Sequence, residues 1–332
     1  MKSKLLALSA VLLLAFSVAI PAFSGEKLIV YTSMKESLIG RLRDGFVKQH
    51  PEVSMDYQSA GAGKLMAKIA AERESGKILA DVIWTSEVPD FFKMREEGIL
   101  EKYQSKEFPN LLNPFGDDYD GSFTAARLGT LGIVYNPRFI KEAPAQWSDL
   151  TKKEYNGAYG IANPALSGTS YMSVALLQKQ FGWEYFESLH KNKARIGKGS
   201  GQVIDDTASG DLVACLGVDY ITNDKIQKGA SLALAYPPEM LVVPSPVAIF
   251  KDTTNLSAAQ KFVDYLLGKE AQTIIAEEGT LPARADVEVP AQFKMPTAAD
   301  ALKRAITINY NDIIVAKEAT VKKFTDTMQG KK

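Results

Sequence analysis

The sequence predicts an α/β protein folded as two lobes, each a mainly parallel sheet flanked by helices. Three observations carry this expectation. Short β-rich apolar runs alternate with small-residue turns and amphipathic helices, the pattern that builds parallel sheets under helical cover. With 332 residues, 46% of them hydrophobic, the chain can fill two cores. Prolines at Tyr236-Pro237-Pro238 and Pro244-Ser245-Pro246-Val247 interrupt the alternation, as a second crossing between lobes would.

The chain opens with Lys2 and Lys4, an apolar run from Leu5 to Ile20, and Pro21-Ala22-Phe23-Ser24. A charged start, a short apolar stretch and small residues read as a secretory signal peptide over 1–24, because the run falls short of the ~20 residues of a spanning helix. Its removal leaves 37 basic against 39 acidic residues, a net charge of −2. Lys27 to Tyr31 then reads as a strand, and Ser33 with Glu36 has capping-box spacing, so a helix is expected from Ser33. Leu38, Ile39, Leu42, Phe46 and Val47 recur at helical spacing until His50-Pro51 stops the element. The unit repeats: Val53 to Gln58 as strand, Ser59 to Gly63 as tight loop, Lys64 to Glu74 as helix ended by Gly76. A third round has Asp81 to Trp84 as strand, Thr85-Ser86 as turn, and Val88 to Glu97 as helix closed by Gly98.

A further β-run, Leu128 to Asn136, leads into the second lobe with the same grammar. Tyr159 to Ala162 is a strand, Asn163 to Thr169 a turn, and a helix follows from Ser170. Next come Ser200-Gly201-Gln202, a short helix ending at Ser209-Gly210, and a strand to Asp219-Tyr220. From about Ala248 the chain is expected back in the first lobe, finishing in helices over Ser257 to Leu267 and Ala301 to Met328. This divides the protein into lobe I, residues 25–128 and 248–332, and lobe II, residues 129–247, with a hinge where the chain crosses.

Equal numbers of basic and acidic residues, 39 each, leave no global charge to neutralise a phosphate backbone, so nucleic acid is not an expected partner. Cys215 is the sole cysteine. It excludes an intramolecular disulfide and, lying far from the cleavage site, a lipid anchor there; within Leu212 to Val218 it reads as a core residue. Gly61-Ala62-Gly63-Lys64 is not a P-loop, since Gln58 stands where the first glycine belongs and Leu65 where Ser or Thr does. Asp117 to Gly121 resembles part of a calcium loop, but Gly116 occupies the first ligand position. His50 and His190 lie in polar helix-end contexts, so neither a metal site nor a cofactor is expected. No G-x-S-x-G elbow is present and a triad would have to recruit one of those histidines. Asp205 and Asp206 are adjacent and do not face each other on a helix. The chain is therefore read as a binding protein rather than an enzyme.

In open α/β sheets ligands bind beyond the carboxyl ends of the strands. Three successive strand ends here carry Ser33, the Ser59-Ala60-Gly61-Ala62-Gly63 loop, and Thr85-Ser86. Ser167 to Thr169 and Ser200-Gly201 occupy the same kind of position in the second lobe. Hydroxyls and glycines before helix N-termini, whose first N–H groups lack backbone partners, form anion sites.

The mature chain resembles the periplasmic solute-binding proteins of ABC importers, in the group that includes ferric-ion, thiamine, phosphonate and sugar-phosphate binders. Leu28 to Ser33, Ser59 to Gly63, Ala80 to Trp84, Gly132 to Asn136 and Gly217 to Tyr220 carry the resemblance, which spans most of residues 26–285. It implies the two-lobe type II periplasmic binding fold, a cleft that closes on a solute because the closed form binds it better, and a membrane permease as partner. It further implies a soluble, monomeric periplasmic receptor. Ferric members use a histidine in the first turn and adjacent tyrosines in the second lobe; Ser33-Met34-Lys35 and Asp219-Tyr220 stand there instead, which makes iron the runner-up. The expected ligand is an organophosphate, a sugar phosphate or phosphonate. Ser33, Ser59, Gly61, Ala62, Gly63, Thr85 and Ser86 would hold the phosphate, and Ser167, Thr169, Ser200, Gln202, Asp219 and Tyr220 would read the organic part.

Overall fold

The structure is a computed structural model that describes residues 25–307 and 309–331, so the expected signal peptide lies outside the described residues. The first repeat comprises β1 (Glu26–Thr32), α1 (Glu36–Gln49), β2 (Val53–Ser59), α2 (Ala62–Glu74), β3 (Val82–Trp84) and α3 (Val88–Glu96). Next come β4 (Leu100–Glu101), the long β5 (Thr124–Tyr135), β6 (Tyr159–Ala162), α4 (Gly168–Phe181) and α5 (Trp183–Lys191). Then β7 (Arg195–Gly197), α6 (Ser200–Ser209), β8 (Ala214–Val218), α7 (Asp219–Gln227) and β9 (Ala233–Ala235) lead to β10 (Leu241–Phe250). The remainder is α8 (Leu256–Leu267), α9 (Lys269–Glu277), β11 (Leu281–Pro282), α10 (Ala298–Arg304), α11 (Tyr310–Val315) and α12 (Lys317–Met328).

These strands form one mixed sheet whose main path runs β2-β1-β3-β10-β5-β8-β6-β7. β1 pairs in parallel with β2 and β3, and β6 pairs in parallel with β7 and β8. Between these two parallel groups lies the antiparallel pair β5 and β10, the two long strands that carry the chain across the sheet. Parallel strands covered on both faces need apolar side chains throughout, and Leu28, Val30, Val82, Ile83 and Trp84 are fully buried. Leu38, Ile39, Leu42 and Phe46 of α1 pack onto them, as their spacing predicts, while Val47 is half-buried.

Several boundaries differ from the sequence expectation for local reasons. α1 starts at Glu36, not Ser33, because both members of the expected capping box are engaged elsewhere: Ser33 Oγ accepts from the Ser86 N–H (3.2 Å), and the Glu36 carboxylate accepts from Tyr57 Oη (2.7 Å). The prolines do not end β10; Pro244 and Pro246 lie inside it, and the register against β5 shifts between them. Proline has no N–H to give a ladder, so a central strand tolerates it at such a bulge. The helix expected over Ala301 to Met328 is broken into pieces. After β10 the chain first rejoins the β1 to β4 region; α11 then packs on α3, and α12 packs on α4 and α5, elements of residues 129–247. Phe324 of α12 meets Phe186 edge-on with ring centres 5.5 Å apart. Cys215 is buried, and burial pushes its thiol up to about 12.

Candidate functional site

Loops at the strand ends of both parallel groups enclose a cavity of about 680 Å³. One wall holds Ser33 after β1, Ser59 to Lys64 from the end of β2 into the first turn of α2, and Ser86 after β3. The opposite wall holds Ala165 to Thr169 before and within α4, Lys198 to Gly201 at the start of α6, and Tyr220 of α7. Of the thirteen residues the sequence singled out, Ser33, Ser59, Gly61, Ala62, Gly63, Ser86, Ser167, Thr169, Ser200 and Tyr220 line this cavity.

Thr85, Gln202 and Asp219 do not. Thr85 is buried and its N–H goes to Pro246 O (3.2 Å), fixing β3 to β10. Gln202 turns back so that its Oε1 accepts the Lys198 N–H (2.8 Å). Asp219 is fully buried behind the wall, where it accepts from Thr130 N–H (2.8 Å), Thr130 Oγ1 (3.0 Å), Thr280 Oγ1 (2.7 Å) and Tyr220 N–H (2.7 Å). Burial pushes its carboxyl upward, and the Arg127 guanidinium, 3.5 Å away, with these hydrogen bonds opposes that shift.

Sequence reasoning missed the cavity's cations, Lys35, Lys64, Lys198 and above all Arg127, which lines the cavity from the middle of β5 with 1% of its surface exposed. It donates to Ser245 Oγ (Nε, 3.3 Å), Thr280 Oγ1 (Nη1, 3.1 Å) and Ser86 Oγ (Nη2, 3.4 Å), and its guanidinium lies 4.7 Å from the centre of the Tyr220 ring. The β10 bulge is what brings Ser245 there: its Oγ also meets Ser86 Oγ at 2.9 Å. Gly129 leaves the space, because a Cβ there would come within 2.7 Å of Arg127 Nη2. A signal did exist, since an arginine inside the buried run Ala125-Ala126-Arg127-Leu128 needs a partner and a reason.

Hydroxyls and helix ends complete the walls. Ser59 Oγ donates to Met34 O (2.6 Å) and braces the first turn, and the Lys35 N–H donates to Tyr220 Oη (3.2 Å), linking the walls. The Ser167, Thr169 and Ser200 hydroxyls form a triangle with sides of 3.1, 3.2 and 3.2 Å. Ser167 caps α4 by accepting the Ser170 N–H (3.3 Å). By contrast α2, behind Gly61, and α6, behind Gly199, begin at the cavity without a side-chain cap on their first N–H groups. Such ends carry partial positive charge and favour anions.

Residues 77–312 match the bacterial extracellular solute-binding protein family, well over half of the chain. The chain belongs to that family. This solute-binding protein is 23% identical over 301 residues, 85% of each chain, to a protein of Salmonella typhimurium provisionally named 2-aminoethylphosphonate-binding periplasmic protein. It superposes on the periplasmic binding protein AfuA of Actinobacillus pleuropneumoniae, solved with fructose-6-phosphate, with a TM-score of 0.75 and 24% identity over 91% of this chain and 98% of that one. Iron-bound HitA of Pseudomonas aeruginosa gives 0.76 and 21%, over 91% and 99%. The two structural likenesses establish the fold, that of the type II periplasmic binding proteins, as the sequence led one to expect. Among the described residues of the solute-binding protein no helix is long and apolar enough to cross a membrane.

Proposed function

We propose that this solute-binding protein is the periplasmic receptor of an ABC importer and captures a small organophosphate between the two walls of its cavity. The observation that carries the reading is the convergence of two uncapped helix N-termini, α2 and α6, with the hydroxyls of Ser33, Ser86 and Ser200 and the cation of Arg127 on one cavity. Together they supply hydrogen-bond donors and positive potential, which suit the anionic, acceptor-rich oxygens of a phosphate group. A relative named for a phosphonate and a fold neighbour solved with a sugar phosphate point the same way. A ferric ion fits the cavity poorly, since cations line it and the Tyr220 hydroxyl already accepts from the Lys35 amide.

No chemistry is needed. Ligand bridging the walls binds the closed form better than an open one, and that difference closes the protein. Lobe I (25–128 and 248–332) and lobe II (129–247) are the bodies we propose to move, with α12, which packs on α4 and α5, travelling with lobe II, in a chain released by cleavage of 1–24 without a lipid and acting as a monomer that delivers its solute to the permease. A thermal-shift screen tests the solute class, with sugar phosphates, phosphonates, inorganic phosphate, ferric citrate and thiamine as probes. Ligand at a hundred times its Kd should add about 2.7 kcal/mol to stability. Phosphorylated probes are expected to stabilise the protein, and Ser33→Glu with Ser86→Glu to abolish the effect. Stabilisation by ferric citrate alone would overturn the reading.

A further inference from the structure

The cavity has an unusual charge inventory. Besides Arg127, whose charge Asp219 meets from behind, three lysines line it: Lys35, Lys64 and Lys198. Some lysines elsewhere find carboxylates, as Lys225 does with Asp205 and Lys261 with Glu26 and Glu52. Among the described residues Lys35, Lys64 and Lys198 have none within 4.0 Å, and no aspartate or glutamate lines the cavity. Glu87, beneath Gly168, is paired with Lys317.

The lysines are also distributed. Lys64 sits in the first turn of α2 on one wall, and Lys198 immediately before α6 on the other. Lys35 bridges them: a Cβ on Gly201 would come within 3.1 Å of its Nζ, so an ammonium lies against the positive end of α6. The three lysine side chains are exposed at both walls of a cavity that no carboxylate lines, so an anion entering it meets only positive charge.

We propose that the solute carries two separated anionic groups and no ammonium, as a phosphorylated hydroxy-carboxylate does, with Lys198, Lys35 and the α6 N-terminus holding the second anion. The proposal rests on the organophosphate reading and narrows it. A phosphate ester bears up to two negative charges at neutral pH and a carboxylate one more, matching the three lysines without a carboxylate counter-charge. An aminophosphonate would bring its ammonium into a cavity that has no acidic side chain to receive it.

Isothermal titration calorimetry of the purified protein with 3-phosphoglycerate, glycerol 3-phosphate, 2-aminoethylphosphonate and inorganic phosphate tests this. 3-Phosphoglycerate and glycerol 3-phosphate differ in the carboxylate, and one charge-assisted hydrogen bond pair is worth about tenfold or more in affinity. The expected order places 3-phosphoglycerate first by at least about that factor and 2-aminoethylphosphonate last among the organic probes. Lys198→Gln is expected to bring the 3-phosphoglycerate to glycerol 3-phosphate ratio towards one. If glycerol 3-phosphate or 2-aminoethylphosphonate binds as tightly as 3-phosphoglycerate, the second anion site is refuted while the organophosphate reading stands; if inorganic phosphate does, the organic part is not read and both fall. If no phosphorylated probe binds, both fall.

Discussion

At the scale of single residues, Arg127 and Asp219 act as a unit that serves the cavity without Asp219 reaching it. Neither has a comparable partner elsewhere, and an isolated buried charge is far more costly than a pair. Arg127→Met should therefore cost about 3–5 kcal/mol by stranding Asp219, whereas Arg127→Met combined with Asp219→Asn should cost markedly less. Chemical denaturation of the wild type, both single variants and the double closes the cycle, and additive losses would contradict the coupling. Gly129→Ala tests the same geometry by crowding. Its Cβ would press on Arg127 Nη2 at 2.7 Å and on Val243 O at 3.3 Å. We expect a loss of about 1–3 kcal/mol in stability from overpacking, together with a ligand-induced thermal shift smaller than in the wild type.

At the scale of elements, α3, α4 and α12 meet around a buried acidic pair. Glu87 precedes α3, Asp90 lies in its first turn with Oδ2 unpartnered, and Lys317 of α12 is paired with both carboxylates, at 3.0 Å to Asp90. A Cβ at Gly168, the first residue of α4, would collide with the Glu87 side chain. Burial and the neighbouring Asp90 push Glu87 up to about 7, against the pull of Lys317. Burial pushes Asp90 upward as well. Because the folded state holds the Glu87 proton more tightly than the unfolded chain, folding takes up a proton between the ordinary value of 4.5 and about 7. Stability from this group is present below that window and is lost as pH rises through it. Melting curves from pH 4 to pH 8 should show a shallower decline for Glu87→Gln than for the wild type; parallel curves would mean that Glu87 does not titrate in that range.

At the scale of the whole molecule, the C-terminal segment ties the two parts of the chain together. α11 packs on α3 and α12 on α4 and α5, with Phe324 1% exposed against Phe186. Removing that ring should cost about 3–5 kcal/mol, as large-to-small changes in cores do. Phe324→Ala measured by urea denaturation checks this, and a loss below about 1 kcal/mol would show that α12 contributes little to the fold.

Periodicity and turn chemistry are local, so the α/β class, the apolar face of α1 and the placement of Ser33, Ser59 to Gly63, Ser86, Ser167, Thr169 and Ser200 at strand ends and helix starts are legible along the chain. Those residues converge because strand ends in a sheet lie on one edge, a rule that needs only the order of elements. Tertiary structure alone decided the rest. Asp219 is expected from sequence to read the organic part of the solute, yet the pairing of β8 with β5 buries it under Arg127. Ser245 enters the site only because two prolines force a bulge where β10 crosses β5. Lys35, Lys64 and Lys198 are unremarkable surface lysines along the chain, separated by 29 and 134 positions. Charge acts through space rather than along sequence, and only folding brings the three to one cavity.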